Sequence, residues 1–317
     1  MKVTITDALE GKLNLIKVRR NSRDIHLNFP DFLVIGPQRT GTTWLCQNLR
    51  VHPEIFITRP KELYYFSELK NGSPRPLVVR RAEKPGNLRR PREYLVSKAI
   101  EFWLKYLMVR DYEPDELNWY SNMFSTNTVE GKYRSVRNLI KYKRRIKFKM
   151  AGEGTATYAI LKDDVLREIT VLNPGIKAIL MVREPVERAW SHAKKDLIDI
   201  PGRSIEEVSD EEFREFLLRD EHIERGMYSS IIEKWEGHIQ KDHLFVGSFK
   251  DIVQKPGELL RSIFRFLGVE DRAEYVGGLS KTVVNPSSSY AVPDRVRNLL
   301  EPVYEEEKRR LKGRFGF

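Results

Sequence analysis

The segment around residues 32–49 constrains this chain more than any other. A short apolar run, Phe32-Leu33-Val34-Ile35, lies between Pro30-Asp31 and Gly36-Pro37, and a helix is expected from Thr42 through Leu49. Between them runs Gly36-Pro37-Gln38-Arg39-Thr40-Gly41-Thr42-Thr43. A buried strand that turns through glycines into a helix aims unpaired helix amides, and the positive end of the helix dipole, at one point. That is the geometry of a phosphate loop. The hydroxyls of Thr40, Thr42 and Thr43 add donors. The NTPase form of the loop reads G-x-x-x-x-G-K-[ST], but Thr42 fills the lysine slot here and the cation is Arg39, inside the loop. Without the lysine that reaches the β- and γ-phosphates, hydrolysis of ATP or GTP is disfavoured. A ligand of lower charge that needs no magnesium clamp fits better. Taken alone, the loop also reads as a plain strand–helix corner.

Other apolar runs follow the same rhythm. Ile55-Phe56-Ile57 reads as a short strand, Ala178-Ile179-Leu180-Met181-Val182 as the strongest strand, and Leu244-Phe245-Val246 as another. Helices are expected from Pro185, since proline suits a first helical turn, and over Leu259–Leu267. Buried strands alternating with helices predict an α/β fold with a central parallel sheet flanked by helices. Residues Glu68–Glu93 are rich in Pro, Gly and Arg and read as a loop, and Tyr94–Val109 has helical apolar spacing. A basic run covers Lys141, Lys143, Arg144, Arg145, Lys147 and Lys149 and also reads as a solvated face before a strand.

A second anion site is expected where the strongest strand ends, at Arg183-Glu184-Pro185-Val186-Glu187-Arg188-Ala189-Trp190-Ser191. An arginine at the carboxyl end of a parallel strand faces the crevice in which such sheets bind ligands. A guanidinium fork and a serine hydroxyl together suit a phosphate. Salt bridging among Arg183, Glu184, Glu187 and Arg188 is the competing reading. Two phosphate sites on one sheet suggest a ligand phosphorylated at both ends.

The net charge of +11 and pI near 9.5 favour polyanionic partners without choosing among them. With one cysteine, Cys46, the chain has neither an internal disulfide nor a cysteine-rich zinc site. No metal cluster is visible. Met1–Arg20 lacks the apolar core of a signal peptide, and no apolar run reaches membrane-spanning length. We therefore expect a soluble cytoplasmic protein, with peripheral membrane association left open, no nucleic-acid partner, and an undetermined oligomeric state.

The two anion motifs together resemble the sulfotransferases that use 3′-phosphoadenosine-5′-phosphosulfate (PAPS). The family's first loop ends in Gly-Thr-Thr-Trp-Leu, as do Gly41 to Leu45, and its R-x-P-x-x-R-x-x-S motif matches Arg183, Pro185, Arg188 and Ser191. Arg225-Gly226-Met227-Tyr228 is similar to its Gly-x-Tyr segment. Gly152-Glu153-Gly154-Thr155-Ala156-Thr157-Tyr158 resembles the G-E-x-[ST]-P-x-Y segment of the carbohydrate branch, with Ala156 where proline is usual and Gly154 where lysine is frequent. Arg39 stands where many members carry lysine. The resemblance implies a fold related to nucleotide kinases with a P-loop-like turn. It implies that Pro37, Gln38, Arg39, Thr40, Gly41, Thr42, Thr43 and Trp44 hold the 5′-phosphosulfate, and that Arg183 and Ser191 hold the 3′-phosphate. The released product would be 3′-phosphoadenosine-5′-phosphate (PAP), without a metal.

Lys61-Glu62-Leu63-Tyr64-Tyr65-Phe66 looks like the K-E-x-x-[FY]-F segment of glycan sulfotransferases, including the heparan sulfate enzymes. There the glutamate is the base, which implies Glu62 as base here, with Lys61 and Arg39 stabilising charge on the transferred group. Mere pairing of Glu62 with Lys61 or with a loop arginine is the competing reading. Phenol and steroid sulfotransferases use histidine instead; His52 and His192 are the candidates here, and neither fits well. The acceptor is expected to be a glycan, with a small natural product as the alternative. A nucleotide kinase lacks its lysine here, and a non-catalytic polyanion binder leaves the two phosphate motifs unexplained. We read residues 1–317 as one domain, with a core at about 28–270, an acceptor-side excursion at about 67–150 and a C-terminal segment at 271–317.

Overall fold

The structure, a computed structural model, describes residues 2–5, 12–13, 15–16, 25–59, 61–69, 117–277 and 290–315. The readings made for most of Glu68–Glu93 and for Tyr94–Val109 lie outside the described residues. Strands β1 (Lys2–Ile5) and β2 (Ile25–Asn28) form an antiparallel pair. Then come β3 (Phe32–Gly36), α1 (Thr42–Val51), β4 (Ile55–Ile57) and the single turn α2 (Tyr65–Glu68). Helices α3 (Leu117–Asn122) and α4 (Val129–Tyr142) precede β5 (Met150–Gly154) and α5 (Asp163–Leu172). Strand β6 (Lys177–Val182) leads into α6 (Pro185–Ala193), which continues as a π-helix over Lys194–Asp199. Next are α7 (Asp210–Leu217), α8 (Asp220–Glu224), α9 (Tyr228–Glu236) and β7 (Leu244–Ser248). Helices α10 (Phe249–Gln254), α11 (Pro256–Leu267) and α12 (Asp294–Phe315) follow.

The main sheet has five strands in the order β4-β5-β3-β6-β7, and each neighbouring pair is parallel. All five carboxyl ends therefore share one edge. The chain builds β4 and β5 on one side of β3, then β6 and β7 on the other. The crevice at the end of β3 is thus the topological switch point, where open α/β sheets bind ligands.

The continuous apolar strands are buried on both faces. Phe32 and Val34 of β3 pack with Ile179 and Met181 of β6 against Leu45 and Leu49 of α1 and Leu260, Ile263 and Phe264 of α11. The alternate residues Leu33, Ile35, Leu180 and Val182 join Leu166 and Ile169 of α5 and Trp235 of α9 in the opposite layer. A third cluster joins Trp190 of α6, Phe213 and Phe216 of α7, and Leu300 and Tyr304 of α12. Each strand thus contributes to two layers because its side chains alternate.

Strand β5 reads Met-Ala-Gly-Glu-Gly, a composition with little intrinsic strand preference. Its glycines answer to packing. A Cβ on Gly152 would enter the ring of Phe32, and one on Gly154 would run into Sγ of Cys46. Close approach by α1 and β3 thus selects residues that local propensity disfavours.

Candidate functional site

The phosphate loop runs from the end of β3 into α1. Gly36, Arg39 and Gly41 have φ of 104°, 72° and 91°. Glycine is required at Gly36, whose Cβ would overlap the backbone of Ala156, and at Gly41, whose Cβ would strike the Ile252 side chain. Helix α1 begins without a side-chain cap and without an acidic residue in its first turn. Its leading amides and dipole are therefore open to an external anion. Thr43 is half-buried, as are Gln38 and Arg39, while Pro37 and Thr42 are buried. The Thr40 hydroxyl donates to Pro37 O at 2.7 Å and so closes the loop. Trp44 puts its side chain into the core between α1 and the sheet, which leaves its backbone as the part that faces the loop.

The second motif lies on β6 and α6 and touches the first directly. Arg39 Nε donates to Ser191 Oγ at 2.9 Å, and Arg183 Nη1 donates to Arg39 O at 3.4 Å. Arg183 also stacks over the Phe249 ring at 4.6 Å and pairs with Glu187 at 3.4 Å. Part of the expected salt-bridge pattern is therefore present. Glu184, however, caps α6 by accepting from Glu187 N at 2.7 Å and pairs with Lys308 of α12 at 3.3 Å. Arg188 is fully buried and donates to His222 O at 2.8 Å, with Nε and Nη1 lacking a hydrogen-bond partner. Burial first, and the neighbouring charge of Arg183 second, lower the pKa of Arg39, with Asp199 and Asp196 opposing. Two like charges this close favour an anion between them.

The third part is the loop after β4. Glu62 accepts from Lys61 Nζ at 2.8 Å and from the Tyr64 hydroxyl at 2.9 Å. Burial pushes its carboxyl up, but the charge of Lys61, these two hydrogen bonds and the charge of Lys195 outweigh it and hold the pKa below the ordinary value. Glu62 and Tyr64 have φ of 67° and 59°. For side chains of this size the left-handed region costs on the order of 1–2 kcal/mol per residue. Charges on the π-helix after α6 reach both parts of the site: that of Lys195 helps lower the Glu62 pKa, and those of Asp199 and Asp196 oppose the lowering at Arg39.

A family model described as "Sulfotransferase family" matches residues 30–273. The chain belongs to the sulfotransferase family. It is similar to the "Bifunctional heparan sulfate N-deacetylase/N-sulfotransferase 1" of Caenorhabditis briggsae, at 21% identity over 256 residues, and to that of Xenopus laevis, at 23% over 258 residues. These alignments cover 77% and 78% of this chain, but the chain spans only 23% of either relative's length. Among solved structures it is similar to a sulfotransferase from Alicyclobacillus acidocaldarius, with a TM-score of 0.57 and 20% identity, covering 90% of this chain and 96% of that one. The last likeness agrees with the parallel-sheet architecture.

The donor of this sulfotransferase family is PAPS, and the residues present fit such a ligand. An uncapped helix start and the adjacent guanidinium groups of Arg39 and Arg183 make up an anion-binding set. No group of three potential metal-ligating His, Cys, Asp or Glu side chains occurs among the described residues.

The histidine candidates have other work in this sulfotransferase. His52 is fully buried, with Nε2 3.0 Å from Glu270 O and Nδ1 accepting from Glu54 N at 3.2 Å, and it packs on Phe264 and Tyr275. His192 pairs with Asp196 at 3.5 Å and lies against His222. Burial lowers the pKa of both His52 and His192.

Several residues to which the sequence motifs assign no role also shape the site. Glu153 of β5 is fully buried and accepts from Tyr120 Oη at 2.6 Å, Thr155 Oγ1 at 2.7 Å and Tyr158 Oη at 3.0 Å. Burial raises its pKa against those three hydrogen bonds and a fourth from Leu63 N. Tyr120 also stacks on Tyr65 at 4.5 Å, so α3 enters the core beside the Glu62 loop. Tyr304 of α12 donates to His222 O at 3.3 Å and fills the space a Gly226 side chain would need. The quoted G-E-x-[ST]-P-x-Y segment carried the signal for Glu153; nothing in the local sequence marked Tyr120 or Tyr304.

Proposed function

We propose that this sulfotransferase moves the sulfuryl group of PAPS to a carbohydrate hydroxyl or amine, with Glu62 as the base. The observation that carries the reading is the junction of the two anion motifs, Arg39 Nε to Ser191 Oγ at 2.9 Å, at the strand edge that also holds the Lys61–Glu62 pair. The loop from Pro37 to Trp44 would hold the 5′ end through its amides and Arg39, and Arg183 with Ser191 the 3′-phosphate. Bound donor supplies the sulfuryl group and departs as PAP. Glu62 takes the acceptor proton as the acceptor atom attacks sulfur, opposite the leaving phosphate oxygen. A carboxylate held below its ordinary pKa by Lys61 is ionised at neutral pH and ready to accept that proton. Arg39, Lys61 and the loop amides stabilise charge on the sulfuryl and bridging oxygens.

The glycan acceptor is supported by the Lys61-Glu62-Leu63-Tyr64-Tyr65-Phe66 segment and by the N-sulfotransferase relatives. The test is transfer from sulfur-labelled PAPS to a panel of glycans and small phenols and alcohols, alongside thermal shifts with PAP and with ATP-magnesium. Label on glycans and stabilisation by PAP support the reading. Label on small alcohols alone refutes the glycan acceptor, and stabilisation by ATP-magnesium alone refutes the donor.

A further inference from the structure

Backbone amides of the Glu62 loop donate to the end of β5 and to the turn that follows it. Glu62 N donates to Gly154 O at 3.0 Å. Leu63 N donates to Thr155 Oγ1 at 3.0 Å and to Glu153 Oε2 at 3.3 Å, and Tyr64 N reaches Thr155 Oγ1 at 3.4 Å. Phe66 N donates to Tyr158 Oη at 3.3 Å. A hydroxyl has one proton to give. Thr155 gives its proton to Glu153 Oε2 and Tyr158 gives its own to Oε1, where Tyr120 also donates. Loop amides therefore donate to hydroxyls, and the hydroxyls donate to one carboxylate. Both oxygens of Glu153 are engaged, Oε1 by the Tyr120 and Tyr158 hydroxyls and Oε2 by the Thr155 hydroxyl and Leu63 N.

We propose that Glu153 is a positioning residue for sulfuryl transfer. Its carboxylate fixes where the Thr155 and Tyr158 protons point. The lone pairs of those hydroxyls then face the loop amides and hold Glu62 and Tyr64 in the left-handed conformation they would otherwise leave. This deepens the assignment of Glu62 as base and rests on it. An amide at position 153 would offer one acceptor oxygen and a donor. At least one hydroxyl would have to turn, and its loop amide would lose its partner.

The experiment is a double-variant cycle in turnover with Glu153→Gln and Glu62→Gln, read with PAP affinity and melting temperature. Glu153→Gln should lower kcat roughly 10²-fold, as misplacement of a reacting group does, with PAP affinity unchanged. In the Glu62→Gln background it should cost little more, because it acts through Glu62. A full, multiplicative loss in both backgrounds overturns the relay, as does a Glu153→Gln protein with normal turnover. Normal turnover of Glu62→Gln alone instead overturns the base assignment. Where Glu153→Gln does not fold, Thr155→Val removes the same proton link at nearly constant volume, and Thr155→Ser restores it. Slow transfer by the valine variant with recovery in the serine variant supports the relay; equal rates for the two overturn it.

Discussion

The two halves of this site are held in place by different means. The proposed donor side is made mainly from backbone, with glycines at Gly36 and Gly41 and a helix start without a cap, joined by the side chains of Arg39 and Arg183. The acceptor side is made from buried side chains. Glu153, Thr155, Tyr158 and Tyr120 support a loop whose residues sit in a costly backbone region. A backbone cradle suits any phosphate group and is set by chain geometry. A side-chain scaffold suits one carboxylate orientation and fails when a single donor or acceptor is lost. Changes on the donor side should therefore read out as affinity, and changes on the acceptor side as rate.

The largest expected effect is on the acceptor side. Glu62→Gln should reduce turnover by about 10²–10⁴, as loss of a general base does, while PAP affinity and melting temperature stay near those of the unmodified protein. Comparable losses of affinity and rate would erase the division between the halves.

On the donor side, Arg183→Ala should weaken PAP binding roughly ten- to a hundred-fold, the scale of a lost charge-assisted hydrogen bond. AMP lacks the 3′-phosphate, so its affinity should change much less. Calorimetric titration with both nucleotides checks this, and equal losses would remove Arg183 from the 3′-phosphate.

The pH profile sharpens the comparison further. Burial raises the Glu62 pKa, and Lys61, Tyr64 and Lys195 lower it by more. The ionised form is present above the lowered pKa and is lost as pH falls through it. Activity should accordingly persist below the usual carboxylate range of about 4.3. Lys61→Ala removes the main opposing charge and leaves burial, so the acid limb of kcat/KM should move upward. An unmoved limb would detach Lys61 from the base. The smallest effect is expected from chelation. In the proposed mechanism the loop amides, Arg39 and Lys61 would supply the positive charge on the donor oxygens, so transfer should continue in excess EDTA; a rate restored only by magnesium would contradict this.

Much of the donor side could be read directly from the sequence. Its strand, turn and helix are contiguous in Phe32–Val51, and Arg183 to Ser191 is a single strand–helix corner, so local spacing carried the geometry. The acceptor side was legible only in its motif letters. Tyr120 reaches Glu153 across 33 positions, and β5 is a strand because Phe32 and Cys46 demand glycine beside them, against local propensity. The C-terminal segment also hid its role, since Tyr304 and Lys308 meet α6 and α8 only through tertiary packing. Thr40 and Trp44 were legible as loop residues, but their side chains turned out to serve the loop's own closure and the core.

The lone thiol, Cys46, sits beneath Gly154 at the junction of α1 and β5, where burial pushes its pKa up to about 11. Thiolate, and not thiol, reacts with alkylating reagents, so this sulfur is shielded both sterically and chemically while the sheet edge stays closed. It is a natural stopwatch. The rate at which iodoacetamide modifies the protein should report how often the platform shared by both halves of the site comes apart. PAP should slow that clock if it clamps α1 against the sheet.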